Sequence, residues 1–215
     1  MTKPDAGPAS SPELLVLHGV RVLGAPSMDA IAARFRLPLA VVREQLLDDQ
    51  ALGLVTRYDF GEVTWSLTER GRAENERRLA AELDATGARA AVQAGHAAFL
   101  RLNARHGEAC TRWQLRPQPW DRAAANDHSD PVWDDAVLLE LEDLDERLAG
   151  VAATLTGALA RFEGHAERHQ HALARVRQGR HEWLDGPGRA SVQLVWIQLH
   201  EDLLATLGIP RGSDG

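Results

Sequence analysis

The chain of 215 residues holds a single cysteine, Cys110, a single lysine, Lys3, one tyrosine and two methionines. One cysteine excludes an intrachain disulfide framework and any zinc cluster built on paired thiolates. No apolar run approaches the ~20 residues that a bilayer-spanning helix needs, so no membrane partner is expected. Residues 1–11, rich in Pro, Ala and Ser, lack the apolar core of a signal peptide. They are expected to be a disordered tail on a cytoplasmic protein. An excess of positive charge is also missing: 24 Lys+Arg stand against 31 Asp+Glu, a net charge of -7. Up to Asp84 there are 10 basic and 13 acidic residues, and beyond it 14 and 18. Neither half is a basic module, so any contact with nucleic acid needs a local arginine patch. The chain has no P-loop, no G-x-G-x-x-G and no G-x-S-x-G. Neither a cofactor nor an enzymatic activity is therefore expected.

What is present is a globular composition, 44% hydrophobic and 26% charged, with a legible order in its first third. Leu14, Leu15, Leu17, Val20 and Val22 mark a helix over Pro12 to Leu23, closed by Gly24. Ser27 is placed to cap a short helix, Met28 to Phe35, with Met28, Ile31, Ala32 and Phe35 inward. Arg36-Leu37-Pro38 is a tight connection to a third helix running to about Leu52, with Leu39, Val42, Leu46 and Leu47 as inward positions. After Gly53 the period changes. Leu54 to Tyr58 and Glu62 to Leu67 are β-rich runs around Asp59-Phe60-Gly61, the chemistry of a hairpin turn. Thr68 is placed to cap a long charged helix beginning at Glu69. Helix, helix, turn, helix, two-stranded ribbon, helix is the order of a winged helix-turn-helix.

The words match as well as the order. Gly53-Leu54-Val55, the hairpin, and Trp65-Ser66-Leu67-Thr68-Glu69-Arg70-Gly71-Arg72 resemble the GLV…(Y/W)xLTxxGR signature of MarR-type winged-helix bacterial regulators. The resemblance covers residues 12–84. It implies a dimer whose third helix, here Pro38 to Leu52, enters the major groove while a wing, here Arg57 to Glu62, reaches the flanking minor groove. Carried over by position, the DNA contacts are Ser27, Arg34, Arg36, Leu39, Ala40, Arg43 and Arg57. Arg43 suits bidentate reading of guanine, and Leu39 and Ala40 suit thymine methyls. Arg34 and Arg36 suit phosphates. Two features depart from the pattern: Asp49 stands where the family usually has leucine, with Leu52 expected to fill that space, and the wing pairs its one arginine with Asp59 and Glu62.

The remainder, 85–209, reads as all-helical. Val92, Phe99, Leu102, Cys110 and Trp113 mark a helix from Ala88 to Leu115, stopped by Pro117 and Pro119. Arg116 to Asp130 is rich in turns. Asp130 then caps a helix with Pro131 at its first position. Val137, Leu141, Leu144, Leu148, Val151 and Leu155 form a heptad-like seam on that helix, available for pairing within the chain or between two chains. Glu140, Glu142, Asp143, Asp145 and Glu146 form its solvated face. A polar, histidine-rich helix is expected over His165 to Gln178, and a last one from Ser191 to Leu207, followed by a tail over 210–215. This half also resembles the helical partner domain of actinobacterial regulators of the same kind.

His165 and His169 share a helix face, but surface histidines without a third ligand do not make a metal site, and none is expected. Tryptophans concentrate after residue 110. Trp113, Arg116, Trp120, Asp127, His128, Trp133, Trp196 and His200 are the candidate lining of a small-molecule effector pocket; the same tryptophans also suit a helical core. The expectation is a mainly α protein: a winged helix-turn-helix over 12–84 and a dimerising, effector-sensing helical domain over 85–209. It would be a homodimeric transcriptional regulator bound to an operator in double-stranded DNA. The alternative is a winged-helix protein–protein interaction module that does not touch DNA. An exposed apolar patch on the third helix favours the second reading, a basic one the first.

Overall fold

The computed structural model describes residues 6–212. The chain is mainly helical with one two-stranded antiparallel sheet. The elements run α1 (Pro12–Leu23), α2 (Met28–Phe35), α3 (Leu39–Ala51), β1 (Val55–Asp59), β2 (Val63–Leu67), α4 (Glu69–Thr86), α5 (Arg89–Gln114), α6 (Pro131–Ala158), α7 (His165–Arg177) and α8 (Val192–Leu207). Short 3-10 turns occupy Ala160–Phe162 and His181–Trp183. Among the described residues no single helix is long and apolar enough to cross a membrane. The chain forms two compact units: residues 1–93, 155–162 and 198–215, and residues 94–154 and 163–197.

In the first unit local chemistry sets each boundary. Ser11 accepts from the Leu14 amide to cap α1, and Ser27 accepts from the Ala30 amide to cap α2. Helix α2 ends at Arg36, whose backbone is left-handed (φ 54°, ψ 39°). α1 and α2 cross the intervening break at 113°. Val16, Leu17, Val20, Ile31, Val42, Leu46, Leu54, Val55 and Trp65 form the core beneath. In the hairpin Val55 faces Leu67 and Arg57 faces Trp65. Thr68 caps α4 through the Gly71 amide, and its hydroxyl also donates to the Gly53 carbonyl at 2.7 Å. A Cβ on Gly71 would stand 1.9 Å from the Leu54 carbonyl oxygen. Only glycine lets α4 approach β1 that closely.

In the second unit Phe99, Leu102, Val137, Leu141, Leu144, Leu148, Leu173, Val176, Val195 and Trp196 are buried together with Cys110 and Trp113. Asp130 accepts from the Val132 and Trp133 amides at the start of α6. Tethers cross the segment between α5 and α6: isolated bridges join Leu115 to Ala125 and Gln118 to Asp121.

Several expectations change. A cut of the chain at 84/85 does not describe the units, because the first recruits 155–162 and 198–215. Residues 6–11 are not a loose tail: the Gly7 amide donates to Thr156 and the Ala160 amide to Pro8. Residues 1–5 and 213–215, expected in the two tails, lie outside the described residues. The α6 seam is buried within the chain, Val151 alone remaining partly exposed. It therefore offers no apolar face for a second copy. On α3, Leu39 and Leu47 point outward rather than inward, and Leu52 is 51% exposed. The space that leucine was expected to fill belongs to Asp49 itself, fully buried. His165 and His169 are buried, not surface, histidines, and Asp145 leaves the solvated face of α6 to bond His169.

Candidate functional site

The surface that carries the expected DNA contacts lies on α2, the turn, α3 and the hairpin. Ser27 is spent on capping α2. Arg34 is half-buried, with its guanidinium donating to the Arg161 carbonyl at 3.2 Å and lying over the Phe35 ring. It is thus turned inward and is a poorer phosphate ligand than expected. Arg36 is exposed at the turn, and Leu39, Ala40 and Arg43 are exposed on α3. Arg57 is exposed on β1 but ion-paired to Asp59 at 2.9 Å. Around these residues lie Glu44, Asp48 and Glu62, also exposed. The same surface presents apolar side chains: Leu47 is 49% exposed, and Phe60, at the hairpin tip, is 90% exposed beside the Tyr58 ring.

Asp49 lies beneath this face. Gln45 donates to its Oδ1 at 3.0 Å, while Oδ2 is buried without a hydrogen-bond partner among the described residues. Burial raises its pKa against the pull of Gln45 and Arg78. Beside it a groove of about 380 Å³ separates the end of α3 from α4. The hydrogen bond from Arg77, together with Arg78 and against a smaller burial penalty, holds the Glu74 carboxyl at about 2. Among the described residues this leaves Arg70 as the groove's cation without an ion pair.

Behind α1 the first unit holds an ionic network that no local pattern announced. Arg161 donates to Glu82 (2.9 Å), to Asp202 and to Thr206 (2.7 Å). His18 Nε2 lies 3.0 Å from the same Asp202 carboxylate, and its Nδ1 faces Asn75. Arg21 bridges Glu76 and Glu201, each at 2.8 Å. His18, Asn75 and Asp202 are fully buried and the Arg161 side chain is sealed. The signal in the sequence was His18 inside an otherwise apolar stripe; its partners are 57 to 184 residues away.

The expected effector residues do not converge. Trp113 packs on His128 (4.5 Å between ring centres), and His181 completes the group. His128 Nδ1 lies 3.0 Å from Asp134 Oδ2, and Asn126 bonds the same carboxylate. Arg116 pairs with Asp130, Asp127 accepts from the Ser129 amide, and the Trp133 indole donates to the Arg112 carbonyl. Trp120, by contrast, is 82% exposed. Trp196 belongs elsewhere in the second unit, stacked on His106 at 3.9 Å and donating to Asn103. His200 falls in the first unit. Asp134 and His181 were missed because they bear on His128 only through folding.

Around Trp196, burial first and then the nearby His169 push the His106 imidazole down to about 3. Burial, reinforced by Asp185, pushes the Cys110 thiol up to about 12, so it is no nucleophile. His169 Nδ1 bonds Asp145 at 2.6 Å. Among the described residues no three His, Cys, Asp or Glu side chains converge to hold a metal ion.

No family model matches the chain, and no curated protein or solved structure matches it either.

Proposed function

We propose that the first unit is a winged helix-turn-helix and that the protein is a DNA-binding transcriptional regulator. One observation carries this reading: α2 and α3 are joined by a three-residue turn with Arg36 left-handed, and α3 leaves Leu39, Ala40 and Arg43 exposed beside a two-stranded hairpin. That arrangement suits a helix presented to a major groove with a ribbon alongside it. The second unit would serve as the sensing and assembly domain. With the α6 seam buried, a homodimer would need a different surface, and an effector site rests on the Trp113–His128–His181 group alone.

Duplex DNA from upstream of the protein's own gene is the direct probe. Arg43→Ala should cost about 1–3 kcal/mol on the preferred site and relax preference at one base pair. Arg36→Ala should weaken all duplexes alike and reduce the salt slope by about one. Unchanged binding in both folded variants rules out this docking.

A second reading, a winged-helix module that docks a protein, is favoured by a specific feature. Leu47, Leu52 and Phe60 are exposed among Glu44, Asp48, Asp59 and Glu62. Apolar side chains in an acidic surround suit a basic, apolar protein surface better than a phosphate backbone. A folded chain that binds no duplex even at low ionic strength decides for this second reading.

A further inference from the structure

The charge at the middle of α3's outward face is negative. Val42, Leu46 and Asp49 are the buried positions of α3. At 3.6 residues per turn, the positions opposite them are Ala40, Glu44, Leu47 and Ala51, all exposed. Arg43 stands at the flank of that stripe. Glu44 is exposed and makes no ion pair or hydrogen bond among the described residues. It lies in the N-terminal half of α3, the part of a recognition helix that meets base edges.

A carboxylate is acceptor-only and is repelled by phosphates. In a major groove it is tolerated where a base offers it a donor, and the exocyclic amino group of cytosine is the donor that matches a Glu side chain. Building on the DNA-binding reading, we infer that Glu44 is a specificity-determining residue that accepts from cytosine N4. Ala40 and Leu47 on the same stripe supply apolar contact suited to a thymine methyl. The operator half-site therefore contains a cytosine facing the centre of α3, with thymine beside it. Arg43, at the flank, reads a guanine next to it rather than the central base. Glu44 also acts by rejection, because guanine and thymine offer it only acceptors in the major groove and adenine sets its N7 acceptor beside its one amino donor.

The test is selection by the full-length protein from a pool of duplexes with a randomised core, followed by affinity measurements on the winners. The wild-type winners should share one cytosine whose replacement weakens binding roughly 5- to 150-fold. Glu44→Gln should move the preference at that position to adenine, which a glutamine amide pairs at N6 and N7. Glu44→Ala should erase it while raising affinity for unrelated duplexes, because a negative charge has left the phosphate field. Both changes are at an exposed site, and circular dichroism will report that they fold. If wild type selects duplexes and both variants keep the same preference, the assignment to Glu44 is wrong while DNA binding stands. If wild type selects no duplex at all, the DNA reading fails and the assignment with it.

Discussion

In the first unit the buried guanidinium of Arg161 is held by carboxylates, Glu82 and Asp202, and Asp202 in turn meets His18. In the second unit two of the buried titratable groups are kept neutral. His106 lies flat on Trp196 with its pKa pushed down to about 3, and Cys110 beside it is a thiol with its pKa pushed up to about 12. Both units solve the same problem, a polar group out of water, by opposite means. Where charged partners exist across the interior, desolvation is offset by pairing and the cost appears when a partner is removed. Where the neighbouring charge is of the same sign, as His169 is for His106 and Asp185 for Cys110, the group gives up its charge, and the cost appears when pH forces the charge back.

The largest effect is expected from breaking the ionic side of this contrast. Arg161→Leu leaves the fully buried Asp202 and the partly buried Glu82 without their cation and should lower stability by about 3–5 kcal/mol, read from urea unfolding. Replacing both partners, Arg161→Met with Asp202→Leu, should cost less than Arg161→Leu, because the fully buried Asp202 is then no longer left without its cation and only Glu82, at the edge of the network, loses its partner.

Acid is the lever for the second unit. His106 titrates near 6.5 when unfolded but at about 3 when folded, so the unfolded state binds the extra proton between those values. Its contribution to stability is complete above pH 6.5 and is lost as pH falls toward 3. His106→Phe keeps a ring against Trp196 and should flatten this part of the acid limb in a pH series of urea midpoints. An unaltered acid limb means that His106 is not held neutral.

A smaller effect sharpens the contrast from inside the first unit, where Asp49 is the exception: an acid buried with one oxygen unpaired. Its folded pKa is raised above the unfolded 3.8, so the folded state binds the proton more tightly and stability falls as pH rises through that interval. Asp49→Leu should stabilise by about 1–3 kcal/mol at pH 7 and by less near pH 4. Thermal unfolding at the two pH values reads the difference.

Secondary structure was legible where short-range chemistry sets it. The caps Ser27 and Thr68, Pro131 at a first turn, and Gly53 and Gly87 at positive φ delimit elements through contacts a few residues apart. Helix α3 was harder. Its apolar residues are spread around the barrel, so periodicity placed Leu39 and Leu47 inside when the core had room for Val42, Leu46 and Asp49. The central position of Glu44 follows from the buried positions, since the outward face of a helix is defined only once the inward one is known. The surface residues Arg36, Ala40 and Arg43 were readable from position, whereas Arg34 was not, because the carbonyl that captures it belongs to Arg161. Within the effector set, residue type alone did not say which aromatic rings meet: folding packs Trp113 on His128, leaves Trp120 in solvent and stacks Trp196 on His106.

The sequence alone determined the order of the elements, their ends, the hairpin and the excess of negative charge, because caps, turns and amphipathic periods act over one or two helical turns. Only the tertiary structure decided which faces are inside, that the α6 seam is consumed within the chain, and that residues 155–162 and 198–215 return to the N-terminal unit. Those outcomes depend on desolvation and pairing between residues such as His18 and Asp202, 184 apart. A buried ion is tolerable only when its partner arrives, and nothing local in the chain says which partner that will be.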